Sequence, residues 1–550
     1  MNTKLRISLF LAVALSSVMA GLSVAADQAP TRWGDSPLWG DQGDGTYRNP
    51  VLPGDYSDID CIRVGPDYYA ISSTFQYSPG MVILHSKDLV NWSIIGHAVN
   101  DVTEIGPELN WDRMNRYGRG VWAGAIRHHA GKFWIYFGTP EEGYFMTSST
   151  NPAGPWEPLH RMTTEAGWDD CCPFWDDDGQ GYFVGTHFKG GYKTWLYKLT
   201  PDGRDLIPES RVLINEGAGR EASKLFKVSD TYYHFYSEST RDGRHVMMQR
   251  AKSITGPYTE RRQLSHVQRD FNEPNQGGIV QTEKGDWYFL THHGSGMWAG
   301  RLASLLPVTW VDGWPILGKV GDDGLGRMVL GGEKPVKGLP VIRPQSSDDF
   351  NNPKFGLQWS WNYQPRPGKW SLTERPGYLR LHAFKPLRPD QLKTAGNTLT
   401  QRSMRTPNNV ATLALDLAGI ADGQVAGLCH YSKDTSTLGV RREGGTVTLE
   451  FSLNGKFTPG PRITSRQLWL RSTWGMDGLS RYAYSIDGKT FTRFGEPYQL
   501  GWGDYRGDRI GIFTYNNQGE TGHIDCDSFV YDYHLPADPV APGSPAPQPK

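Results

Sequence analysis

The segment GPDYYAISS (residues 65–73) sets two adjacent aromatics between a Gly/Asp turn and a run of β-type residues. The pattern recurs as GKFWIYFG (131–138), GQGYFVGT (179–186), SDTYYHFYS (229–237) and GDWYFLTHH (285–293). The copies lie roughly 50 to 65 residues apart, the length of a small antiparallel sheet rather than of a helical repeat. A second element often follows, as in HSKDLVNW (85–92), TSSTNPAGPW (147–156) and AKSITGPY (251–258), and reads as an outer hairpin. Five such units predict an all-β fold that begins with a five-bladed β-propeller over residues 45–320. The simpler alternative, an unrelated series of hairpins, does not account for the same turn and aromatic pair five times.

Working outward, residues 321–346 are rich in Gly and Pro and read as a surface linker. Alternating runs such as TVTLEFSL (446–453) and YAYSI (482–486), parted by NG and DG turns, then predict a concanavalin-like β-sandwich over 347–535. The tail 536–550 is Pro-rich and reads as disordered. At the other end, Lys4 and Arg6 precede a short apolar run that closes on small residues. Residues 1–26 are therefore expected to be a cleaved signal peptide, with export to the periplasm or beyond the cell.

Composition limits the partners. The 57 Lys+Arg against 58 Asp+Glu leave no net field to attract nucleic acid or an anionic membrane. The 20 Trp and 26 Tyr suit a protein that stacks flat ligands such as sugars. Five cysteines leave at least one unpaired within the chain, and none has zinc spacing. The adjacent Cys171 and Cys172 read either as small buried residues or as a vicinal disulfide.

The aromatic pair also serves as a ruler. Asp58 lies 10 residues before Tyr68, Asp170 lies 12 before Tyr182, and Glu221 lies 11 before Tyr232. Trp122 and Gln276 each lie 11 before their own pair, at Phe133 and Trp287. Innermost propeller strands converge on one axis, so these five slots would face one pocket. Carboxylates flanking a glycosidic bond are what its hydrolysis needs, and a third would raise the acid's pKa. Any one of these acids alone reads equally as a turn cap. On spacing, Asp60, Asp169 and Glu216 remain rivals. The acidic run at 176–178 is not an EF-hand loop, because its first and twelfth positions would be Phe174 and Gly185.

RNPVLPGDYSDIDCIRVGPDYY, GVWAGAIRHHAGKFWIYF, EASKLFK and NQGGIVQT together resemble glycoside hydrolase family 43. DDFNNPKFGLQWSWNYQP and KWSLTERPGYLRL resemble the sandwich of its β-xylosidases. The resemblance implies an inverting hydrolase with Asp58 as general base, Glu221 as general acid and Asp170 tuning the acid. It implies substrate contacts from Arg301, Trp122, Gln276 and Tyr77. It requires no cofactor; some relatives hold calcium near a His, which here would be His292 or His293. The expected substrate is plant cell-wall xylan or arabinoxylan, cut by a β-xylosidase. An α-L-arabinofuranosidase is the alternative, and a non-catalytic sugar-binding propeller a remote one. Departures from the family pattern fall at SDID (57–60), at EAS (221–223) and at the CC that follows Asp170, where they bear on which sugar is preferred.

Overall fold

A computed structural model describes residues 36–267, 274–294 and 296–533; the predicted signal peptide and the Pro-rich tail lie outside them. The described chain is all β, with only short 3-10 turns between strands. None of its helices is long and apolar enough to cross a membrane.

Five antiparallel four-stranded sheets follow one another in chain order. The first runs Asp60–Val64, Asp67–Ser72, Gly80–Ser86, Ser93–Val99. The others begin on Gly124–His129, Trp168–Trp175, Arg220–Val228 and Gly277–Gln281. In every sheet the aromatic pair opens the second strand. Neighbouring residues on a strand point to opposite faces, and this explains the pair. Tyr69 and Phe133 fill the space between sheets one and two, Trp134 and Phe183 that between two and three. Tyr182 and Tyr232 fill the next, Tyr233 and Trp287 the next. Tyr288 and Tyr68 close the fifth sheet onto the first. Each pair thus glues its sheet on both sides, and truncating one of these buried rings to Ala would cost about 3–5 kcal/mol. The first strands of sheets four, three, two, one and five pack on one another in that order.

Asn49, from the RNPVLPG segment, is buried and secures this closure. Its side chain binds the Leu305 N–H and carbonyl and the Val329 carbonyl, all at 2.9 Å. The stretch 321–346 is not a free linker. Gly331–Glu333 pairs with Thr46–Arg48, and Lys334 is buried between Asp41 and Asp88.

The C-terminal region is a sandwich of two eight-stranded sheets around its own core. One of these sheets takes its edge strand, Tyr77–Ser78, from the first domain: Ser78 pairs with Trp361 and Tyr77 with Asn362. All five cysteines are free and buried. Cys171 and Cys172 point to opposite faces of one strand, each filling a different inter-sheet core.

Candidate active site

All five slot residues reach one cavity of about 350 Å³. Asp58, Trp122, Asp170, Glu221 and Gln276 line it, together with Arg301. Two of the three acids get there through irregularities in their strands. The pairing of Trp168–Trp175 slips between Asp169 and Cys171, leaving Asp170 on a bulge. The pairing of Arg220–Val228 slips between Glu221 and Lys224. A bulge re-aims a side chain that would otherwise alternate into the sheet packing. Asp58, Asp170 and Ala222 all have positive φ, at 55°, 32° and 65°. Strained backbone of this kind persists where the surrounding structure holds it.

The acids are not equivalent. Asp58 precedes the first strand of sheet one. Its carboxylate accepts a 2.5 Å bond from Arg301, and its N–H donates to His292 Nδ1 at 2.8 Å. Asp170 Oδ2 accepts from the Ala222 N–H at 2.7 Å, while Oδ1 is buried without a hydrogen-bond partner. Burial, followed by the nearby Glu221 charge, pushes Asp170 up to about 7, against the pull of Lys224. Glu221 accepts a 2.5 Å bond from Arg244, which also donates to Ser237. Asp169, Asp170 and Glu221 present carboxylate oxygens within 4.8 Å of one another. Burial, then the Asp170 charge, raises Asp169 as well. Lys224 Nζ ties the carbonyls of Gly124 and Cys171 beneath this cluster, at 2.8 and 3.2 Å.

The rivals left by spacing separate here. Asp60 turns to a different cavity and pairs with Arg127 at 2.8 Å. Glu216 is an exposed strand end. Asp169 does reach the cavity, so the acidic cluster holds one carboxylate more than the slot count selected. Asp176 belongs to a turn held by Lys227 and Tyr232.

Tyr77 corrects an expectation, because it does not line the cavity. It is buried in the edge strand shared with the sandwich, with Arg506 and Arg509 over its ring at 4.7 and 4.2 Å. Phe75, two residues earlier, lines the cavity instead. Gln276 Nε2 is buried without a hydrogen-bond partner and is available to a ligand. Trp122 stacks on Phe188 and meets Tyr505 edge-on at 5.5 Å. Tyr505 comes from the sandwich, more than 400 residues along the chain from Phe75, and completes the wall. Tyr192, Asn275 and Arg119 are further lining residues that no repeat position had marked.

His292 is buried, and burial with the Arg301 charge holds it neutral. His293 bonds Ser304 at 2.6 Å and is lowered to about 3 by burial. Among the described residues the sole grouping of three or more metal-type donors is Asp169, Asp170 and Glu221; neither histidine joins one.

The chain matches the family model Glycosyl hydrolases family 43 over residues 47–315. It matches the Beta xylosidase C-terminal Concanavalin A-like domain over 347–532. A protein of Formosa agariphila named beta-xylosidase is 36% identical, covering 90% of this chain and 92% of its own. A non-reducing end alpha-L-arabinofuranosidase of Bacteroides ovatus is 33% identical, over 61% of this chain and 65% of its own. Among solved structures, a family 43 protein of Bacillus licheniformis superposes with a TM-score of 0.75 at 28% identity, covering 89% of this chain and all of the other. With its acid cluster inside the first matched region and its cavity wall completed from the second, the chain belongs to glycosyl hydrolase family 43 and carries the concanavalin-like domain of that family's β-xylosidases.

Proposed function

We propose that the protein is an exo-acting, inverting β-xylosidase that removes xylose from the non-reducing ends of xylan fragments, and that its five sheets are the blades of a five-bladed propeller. The observation that carries this reading is the arrival of Asp58, Asp170 and Glu221 at one cavity with Arg301 and Gln276. Asp58 stands on sheet one and Glu221 on sheet four, which are not neighbours in the ring; Asp170, on sheet three, adjoins Glu221. Inversion needs the wider separation of base and acid, so that a water fits between one carboxylate and the sugar. Asp58, paired with Arg301, takes the proton of that water as its oxygen attacks the anomeric carbon. Glu221 gives its proton to the departing glycosidic oxygen. Asp169 and Asp170, both raised by burial and by neighbouring carboxylate charge, hold protons beside Glu221. Gln276 and Arg301 orient the terminal sugar while Trp122 and Tyr505 cover its faces.

We further infer that residues 1–26 direct export, where plant-wall polysaccharide is met. An α-L-arabinofuranosidase is the second reading, favoured by the likeness to the Bacteroides ovatus protein so named. The test compares nitrophenyl β-xyloside with nitrophenyl α-arabinofuranoside and follows the first-formed anomer by NMR. Preference for the xyloside with an inverted first product supports the proposal. Preference for the arabinofuranoside replaces the substrate, and a retained anomer overturns the roles of Asp58 and Glu221.

A further inference from the structure

A second cavity, of about 540 Å³, opens on the outer face of the sandwich sheet that also carries Tyr77–Ser78. Strand alternation creates it. In Thr435–Glu443, Leu438 and Val440 enter the sandwich core, so Thr435 and Thr437 point outward. In Thr446–Leu453, Leu449 and Phe451 point in and Ser452 out. The register sets Thr437 beside Ser452, and Ser452 beside Phe457 on the next strand. The loop 389–393 forms the facing wall, its Leu392 packed on Phe513 and Tyr515.

Three features mark this cavity as more than a surface dent. Thr435, Thr437 and Ser452 are only 8%, 9% and 5% exposed. Their side chains line the cavity. Second, Lys393 and Lys433 balance Asp390 and Asp434, so the lining is neutral. Third, the cavity adjoins the catalytic one. Lys393 lies 4.2 Å over the ring of Tyr117, two residues before Arg119 of the catalytic wall. The Lys433 backbone packs against Gly503, two residues before Tyr505.

We propose that this groove is a second saccharide-binding site, holding a neutral stretch of the same pentose polymer whose end enters the catalytic cavity. A sugar ring offers an apolar face and a hydroxyl edge; Phe457 suits the face, and the three hydroxyls suit the edge. A neutral lining gives a phosphate-bearing partner no attraction. The volume lies within the roughly 300–1,000 Å³ common for small-molecule sites. The identity of the polymer rests on the function proposed above; the existence of the groove does not.

The test is affinity electrophoresis of the full chain through gels containing soluble xylan, with excess xylose occupying the catalytic cavity. The wild type should be retarded. Thr437→Val combined with Ser452→Ala should weaken that retardation about tenfold, as loss of two hydrogen bonds implies. Turnover of nitrophenyl β-xyloside should stay within about twofold, because the two sites are separate. Phe457→Ala, at the rim, repeats the measurement should the double variant prove unstable. An unretarded wild type, or folded variants retarded as strongly as wild type, overturns the groove. Groove-dependent retardation in a protein that does not turn over the xyloside keeps the groove and overturns the assigned reaction.

Discussion

Asp170 Oδ2 accepts a 2.7 Å hydrogen bond from the backbone N–H of Ala222, the residue that follows Glu221. One carboxylate is thereby fixed to the strand that presents the other, and neither can move alone. The bond spans two sheets and joins two strand bulges.

The first prediction concerns the roles of the two outer acids. Asp58→Asn and Glu221→Gln should each lower kcat on xylo-oligosaccharides by about 10²–10⁴-fold, the range for loss of general base or acid. The two should then part company. With a dinitrophenyl xyloside, whose leaving group needs no proton, Glu221→Gln should recover much of its rate and Asp58→Asn should not. Equal recovery in both variants would contradict the assignment.

A second prediction follows from the raised Asp170 carboxyl. Its folded value of about 7 stands above an unfolded value near 4. Between these, the folded chain binds more protons than the unfolded one, so this group's contribution to stability is present below about pH 4 and is lost as pH rises through 7. Asp170→Asn can keep the bond from Ala222 and removes the ionisation. The variant should be more stable than wild type at pH 8, by an amount on the order of 4 kcal/mol, and near wild type at pH 4. Its activity should fall at both. A melting difference that does not change with pH would show that burial of Asp170 is not the cause.

Arg506 and Gln76 carry the third. Arg506 is buried between the rings of Tyr77 and Tyr117 and donates to Gln76 Oε1 at 2.7 Å. With strand Tyr77–Ser78 completing the sandwich sheet, the domains share core rather than touch. Calorimetry should therefore show one unfolding transition, and Arg506→Ala should lower stability on the order of 3 kcal/mol. Two resolved transitions in the wild type would refute this.

Tyr505 tests the sandwich's part in the chemistry. It meets Trp122 at 5.5 Å and lies 5.7 Å from the Arg301 guanidinium. Tyr505→Ala should raise KM about tenfold, through lost ring contact with the sugar, while changing kcat less. Steady-state kinetics on xylobiose decides it; an unchanged KM would leave Tyr505 without a substrate contact.

Ser472, His430 and Asp508 align as a hydrogen-bonded chain, at 2.8 and 2.6 Å. They resemble a hydrolytic triad, yet all are sealed in the sandwich core. A fluorophosphonate probe should leave Ser472 unlabelled. Asp508→Ala should destabilise by about 1–3 kcal/mol, as removal of a buried hydrogen-bond partner does. Labelling of Ser472 would refute the structural role.

Much of this molecule was legible before folding. The adjacent aromatics report that each of five strands must be apolar on both faces, which is why they mark sheets packed between sheets. Their distance from Asp58, Asp170 and Glu221 measures one hairpin, and a hairpin is a local object. Spacing had left Asp60, Asp169 and Glu216 as rivals because strand alternation turns on single residues, and a bulge shifts it by one. Only the bulged pairing aims Asp170 at the cavity and brings Asp169 with it, while regular alternation on sheet one leaves Asp60 to Arg127. Tyr77 and Tyr505 were beyond local reasoning altogether. Which aromatic joins the interdomain core and which faces the sugar is decided by how two domains, joined through strand Tyr77–Ser78, close on each other. That closure depends on contacts between residues hundreds of positions apart, which no local spacing encodes.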